Sequence, residues 1–292
     1  MKEPTPRTSR LALAGGALAV LAVAGAGFVV GRGSVAPAPA PTVTSAVTAP
    51  TIPQPSPSPM SRQLDRAGLL ALVTTAADAS SNAGPSPTVV TPAAGRRFSI
   101  ALPFGCTGPL GEGDTAATGW RYDADSGALR LQVASTRWTP QDWFGDSGSA
   151  GIVAVEGFWI PRPWTSAENC PTAAGLATAA GIEPVMLAGQ SLAIGQVFRK
   201  DAARQDQRDG DPYVAVVRVS PEALHAGSGF RVRLTGQLTD PGSGGAVRCR
   251  QPGGPDQRPI CLVAATFDEI GIENAATGET LARWPGGSGR GV

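Results

Sequence analysis

Between Arg96 and Pro285, hydrophobic and polar side chains alternate in short runs broken by Gly, Pro and Asp. Phe98, Ile100 and Leu102 alternate with Ser99 and Ala101. Leu129, Leu131 and Val133 alternate with Arg130 and Gln132, and Phe230, Val232 and Leu234 with Arg231 and Arg233. Residues 152–160, 191–198, 213–219, 262–267 and 280–284 follow the same rhythm. A period of two over short runs is that of strands buried on one face. Asp125-Ser-Gly127 and Thr277-Gly278 are turn signals between such runs. The one stretch with room for a helix, 172–187, is interrupted by Gly175, Gly181 and Pro184. The pattern therefore predicts a mainly β domain over 96–285, an antiparallel β-sandwich or barrel.

Upstream, the periodicity changes. Residues 61–81 form a predicted short amphipathic helix: Ser61 can cap it, and Leu64, Ala67, Leu70 (or Ala71) and Thr74 fall at three-to-four spacing. Lying between linkers, such a helix either docks weakly on the domain or meets a partner. Residues 82–95 read as a linker. Residues 32–60 read as a Pro-rich spacer, an extended polyproline-type tether. Residues 286–292 read as a disordered tail.

Leu11–Gly31 has no charged or polar side chain and, as a helix, would span about 31 Å, enough to cross a bilayer core. Lys2, Arg7 and Arg10 lie in the short tail of residues 1–10. The positive-inside rule keeps that tail in the cytoplasm and exports everything after Arg32. A cleaved signal peptide ending near Ala24 or Ala26 is the rival reading, and it exports the same domain. The sequence thus predicts a single-pass bacterial inner-membrane protein, membrane-bound through residues 11–31, with its C-terminal domain in the periplasm or outside. Gly27 and Gly31 have GxxxG spacing, unremarkable in a Gly-rich segment. The segment carries no ionisable group of the sort that proton-coupled helices use.

The composition fits an exported chain from a GC-rich bacterium, with 38 Gly, 27 Pro and Lys only at positions 2 and 200. The net charge of +1 combines unlike parts. Residues 1–95 have six basic and three acidic side chains, whereas 96–285 have seventeen and twenty. A mildly acidic domain argues against nucleic acid as a partner. Four cysteines, 106, 170, 249 and 261, form an even set in an exported domain and read as two disulfides. Cys249 and Cys261 bracket a turn-rich loop, so they pair locally and Cys106 pairs with Cys170. There is no CxxC pair and no His nearby, so neither metal nor cofactor is expected.

Three segments hint at chemistry. Gly145-Asp-Ser147-Gly-Ser149 resembles the nucleophile segment of chymotrypsin-like serine proteases. In that family the base precedes the serine, whereas the single histidine here, His225, follows it, and the segment reads as a turn. Asp206-Gln-Arg-Asp209-Gly-Asp211 lacks the ligand positions of an EF-hand and reads as a solvated hairpin tip. Trp120, Trp138, Trp143, Trp159 and Trp164 crowd one stretch of the chain. They either fill the core or, as Trp138, Trp143, Glu156, Trp159 and Trp164, form a ligand-binding groove with Asp142 close by. The expectation is a non-enzymatic envelope domain, without catalytic residues, that contacts an envelope protein or cell-wall glycan. The alternative is an exported glycan-binding or carbohydrate-active hydrolase domain using the Trp-rich region, in which two acids would suffice for cleavage.

Overall fold

The computed structural model describes residues 63–82, 91–171, 190–200, 207–242 and 244–286. The predicted membrane segment, the Pro-rich spacer, Ser61 and the candidate helix at 172–187 lie outside these residues. Among the described residues, no helix is long and apolar enough to cross a membrane.

The domain is mainly β. Its strands are β1 (Arg97–Phe104), β2 (Gly119–Asp123), β3 (Ala128–Val133), β4 (Thr136–Trp138), β5 (Ile152–Trp159), β6 (Leu192–Arg199), β7 (Tyr213–Arg218), β8 (Phe230–Leu238), β9 (Val247–Arg250), β10 (Ile260–Asn274) and β11 (Thr280–Pro285). Helix α1 spans Arg66–Ser81 and α2 spans Pro140–Gly148. Every alternating run named above becomes a strand; Phe98, Ile100, Leu131, Phe230 and Leu234 are completely buried, whereas the inward positions of β11 are only half-buried and Val214 and Val216 of β7 are exposed. Asp125–Gly127 turns β2 into β3, where the Asp123 carboxylate accepts from the Ser126 hydroxyl and the backbone N–H groups of Asp125 and Ser126.

The strands form an eight-stranded sheet, β1-β8-β10-β6-β5-β4 with β9 and β11 also on β10, and a three-stranded sheet, β2-β3-β7. The fifteen-residue β10 organises the larger sheet. At Cys261–Val263 it has β9 on one edge and β6 on the other; further along, β8 and β11 flank it. Two departures from expectation follow. The sheet is mixed rather than antiparallel, because β6 runs parallel to β10. It is also open, with β1 and β4 at its ends, so the described strands close no barrel. The two sheets share one core: Trp120 meets Phe230 edge-on at 5.5 Å, and Phe158 lies 5.8 Å from Tyr213.

Helix α1 belongs to that same core rather than docking weakly. Its buried face is Leu69, Leu72, Val73, Ala76 and Ala77. This is the i, i+3, i+4, i+7, i+8 stripe of a core-facing helix, and not the Ala67–Leu70–Thr74 face the spacing suggested. Leu64 is buried ahead of the helix, bridging to Phe98. Asp65 is the N-cap, accepting from Gly68 N–H at 2.8 Å. Arg66, only 1% exposed, ties the helix down. Its guanidinium donates to the carbonyls of Thr165, Ala101, Pro161 and Arg162. Residues 91–95, predicted as linker, also join the domain: Ala93 is buried and Gly95 N–H donates to Leu238 O at 2.7 Å.

Two disulfides staple the domain. Cys106–Cys170 joins segments 64 residues apart, and Cys249–Cys261 joins facing positions on β9 and β10.

Candidate functional site

The residues predicted to line one groove are divided between the two faces of the large sheet. Along β5, Val155 and Trp159 point to one side, and Glu156 and Phe158 to the other. On the first side, Trp138 of β4 meets Trp143 of α2 at 6.1 Å and Trp159 at 5.4 Å, both edge-on. Trp143 and Trp159 lie 6.5 Å apart. These rings, with Phe144, Ile152 and Leu262, form a second hydrophobic cluster. Arg250 and Arg248 stack over Trp143 and Phe144 at 4.9 and 5.9 Å. The floor is flat because Gly157 and Gly195 face each other across β5 and β6. A Cβ on Gly195 would come within 3.1 Å of the Trp138 ring. Trp138 and Trp143 thus spend their faces on one another and on the sheet.

Glu156 sits on the opposite face, 6% exposed, in a cavity of about 210 Å³ between the two sheets. Its two carboxylate oxygens accept the backbone N–H groups of Arg208 (2.9 Å) and Asp209 (3.1 Å). The predicted hairpin tip is therefore tied to the domain through its backbone, while the Asp209 and Asp211 side chains stay exposed as expected. Arg137 pairs with Asp209 there, and the Arg208 guanidinium donates to the carbonyls of Asp211 and Pro212. That guanidinium also lies 4.2 Å above the Tyr213 ring. Burial pushes the Tyr213 phenol up to about 12; the Arg208 charge opposes this and the Glu156 charge adds to it.

Glu156 faces Gln196 across the strands. Gln196 is 5% exposed, and its amide nitrogen makes no hydrogen bond; nor does the Ser135 hydroxyl. Phe158, Phe198, Phe267 and Trp284 complete the walls. Gln196 and Tyr213 were not singled out in the sequence. The available signal was a carboxylate and an amide at core-facing positions of two otherwise apolar strands, where polar groups are rare without a purpose.

Trp164 lies apart from the other tryptophans. It is 61% exposed, beside a groove of about 630 Å³ between α1 and the loop of the Cys249–Cys261 disulfide. Leu70, Val73, Ala77, Pro163 and Ile260 give this groove an apolar floor, with Gln257 and Arg258 at its margin.

The remaining motifs do not converge. Asp142 is exposed on α2, whose Trp143 and Phe144 pack in the cluster on the sheet face opposite Glu156, and Asp142 does not line the Glu156 cavity. Ser147 lies on α2, which is broken at Gly145 (φ 66°). His225 lies before β8, leading into the short turn Ala226–Ser228 with a left-handed backbone (φ 40°). Among the described residues, no cluster of His, Cys, Asp and Glu has the makings of a metal site. No family model matches the chain, and no curated protein or solved structure is significantly similar to it.

Proposed function

We propose that the chain is a membrane-anchored bacterial envelope protein whose β domain, a two-layer sandwich, acts outside the cytoplasm as a binding module rather than a catalyst. The observation that carries this reading is Trp164. A large aromatic ring left 61% exposed above an apolar groove, in a disulfide-stapled domain, is the usual signature of a recognition surface. The partner is a protein that lays an extended apolar segment along α1, with an acidic group for Arg258 at the margin. The disulfides support an oxidising compartment. The uncharged stretch 11–31 and the Pro-rich spacer supply an anchor and a tether.

Thr74 is exposed and lines the groove, so a photoreactive residue there reports its occupant. In intact cells it is expected to crosslink a discrete protein, with capture reduced at least tenfold by Trp164→Ala. Crosslinking no stronger than from a probe at Asp125, on the β2–β3 turn, rejects the reading. Retention of cell-wall glycan in place of protein favours the second reading, glycan binding at the Trp-rich region, for which Trp164 alone among these residues offers an exposed ring.

A further inference from the structure

The cavity at Glu156 has the composition of a ligand site and is separate from the Trp164 groove. The cost of an unmade hydrogen bond singles it out. A buried polar group without a partner loses the hydrogen bonds that water gave it and gains none in return. Two such groups, the Gln196 amide nitrogen and the Ser135 hydroxyl, stand on the wall of one cavity beside a buried carboxylate.

The chemistry of the wall restricts the occupant. The Gln196 nitrogen can only donate, so it requires an acceptor. Each Glu156 oxygen accepts one backbone N–H and has a lone pair free for a second donor. Ser135 can do either. An anion would answer Gln196 but be repelled by Glu156. A cation would answer Glu156 but leave Gln196 unpaired and face Arg208. A hydroxyl group both donates and accepts, and satisfies all three. The remaining walls are the rings of Phe158, Phe198, Phe267, Tyr213 and Trp284, which suit the C–H faces of a ring. Size narrows the choice further. About 210 Å³ is below the roughly 300–1,000 Å³ of drug-sized pockets, and above the ~150 Å³ that accommodates benzene.

We propose that this cavity binds one neutral, hydroxyl-bearing six-membered ring: a monosaccharide or a cyclic polyol, free or at the end of a glycan. Glu156 and Gln196, paired across β5 and β6, hold its hydroxyls, and Ser135 supplies a third contact. The inference stands on this cavity alone and requires neither the membrane anchor nor the Trp164 groove.

The purified full chain is titrated, by saturation-transfer NMR, with glucose, galactose, mannose, N-acetylglucosamine and myo-inositol into the tens of millimolar. Glucosamine and glucose 6-phosphate serve as the cationic and anionic comparators. At least one neutral ring is expected to saturate, and to bind at least tenfold more tightly than its charged analogue. Gln196→Leu and Ser135→Ala are each expected to weaken it about tenfold, the equivalent of one lost hydrogen bond. Trp164→Ala leaves binding unchanged. Gln196→Leu also removes an unpaired donor, so its thermal midpoint equals or exceeds that of the parent, which separates lost binding from lost folding. Tighter binding of maltotriose than of glucose assigns the site to a glycan terminus, and equal binding assigns it to free sugar. The proposal is overturned if no neutral ring saturates, as when the cavity holds water only, if a charged analogue binds best, or if Gln196→Leu leaves binding intact.

Discussion

Tyr213 is where the electrostatics of the cavity can be read from a single proton. Burial holds the phenol neutral, and the Arg208 and Glu156 charges act on it with opposite signs. In Tyr122→Phe, which leaves Tyr213 as the sole tyrosine, the phenolate absorbance is expected to rise with a midpoint near 12. Glu156→Gln should move that midpoint down and Arg208→Gln should move it up. A raised folded-state value means that Tyr213 contributes stability below the ordinary tyrosine value of about 10, a contribution lost as pH climbs from there toward 12. A midpoint near 10, unmoved by either substitution, would place Tyr213 in solvent. None of this was legible in the sequence, since Tyr213 looks like any strand-initial aromatic. Arg66 was equally hidden. Its burial depends on four carbonyls contributed by residues 35 to 99 positions away, and no local pattern announces partners at that distance.

At the level of elements, strand positions were the most readable, because each alternating run carries its own period. The short β4 and α2 are too brief to show a period, and in α1 Ala and Thr blur the boundary between its buried and exposed sides. Trp138, Trp143 and Trp159, close in sequence, pack together in a hydrophobic cluster, whereas Glu156 belongs to the other face because neighbours in a strand point opposite ways. The glycine pair beneath Trp138 offers a test of how tightly β5 and β6 are fitted. A Cβ at Gly157 would meet Ile194 O at 2.1 Å, a backbone atom that cannot yield without moving the strand. At Gly195 the closest approaches are 3.0 Å to Glu156 O and 3.1 Å to the Trp138 ring, which a small adjustment relieves. Gly157→Ala is therefore expected to cost about 3 kcal/mol and Gly195→Ala about 1 kcal/mol, measured by urea unfolding. The reverse order would refute the account of the floor.

Over the whole molecule, the two disulfides constrain unequal lengths of chain. A bridge closing 64 residues restricts the unfolded ensemble more than one closing 12. Replacing Cys106 and Cys170 with Ser is expected to cost about 4 kcal/mol, and replacing Cys249 and Cys261 about 3 kcal/mol, by loop-closure entropy. Denaturant midpoints of the two double variants against the parent check this; no loss in either would show that the bridges add nothing to stability. Both pairings came from cysteine parity and one local loop. The split of the strands into eight and three, and the parallel contact of β6 with β10, could not be read, because register between distant strands leaves no mark in either sequence.

The position of β10 in the chain has a consequence for the order in which the domain is made. Synthesis delivers β1, β4, β5, β6, β8 and β9 first; β1 can pair with β8, β4 with β5 and β5 with β6, but β9 has its place in the sheet only against β10. Until residues 260–274 arrive, the larger sheet lacks the strand that joins its two halves. Until then β6, β8 and β9 each keep open the edge that β10 later covers, and open edges are the ones most prone to aggregation. Residues 260–274 thus act as a checkpoint. A polypeptide that stops short of β10 leaves the β1–β8 and β4–β5–β6 halves without the strand that joins them, and is expected to be degraded rather than to persist as a smaller working protein.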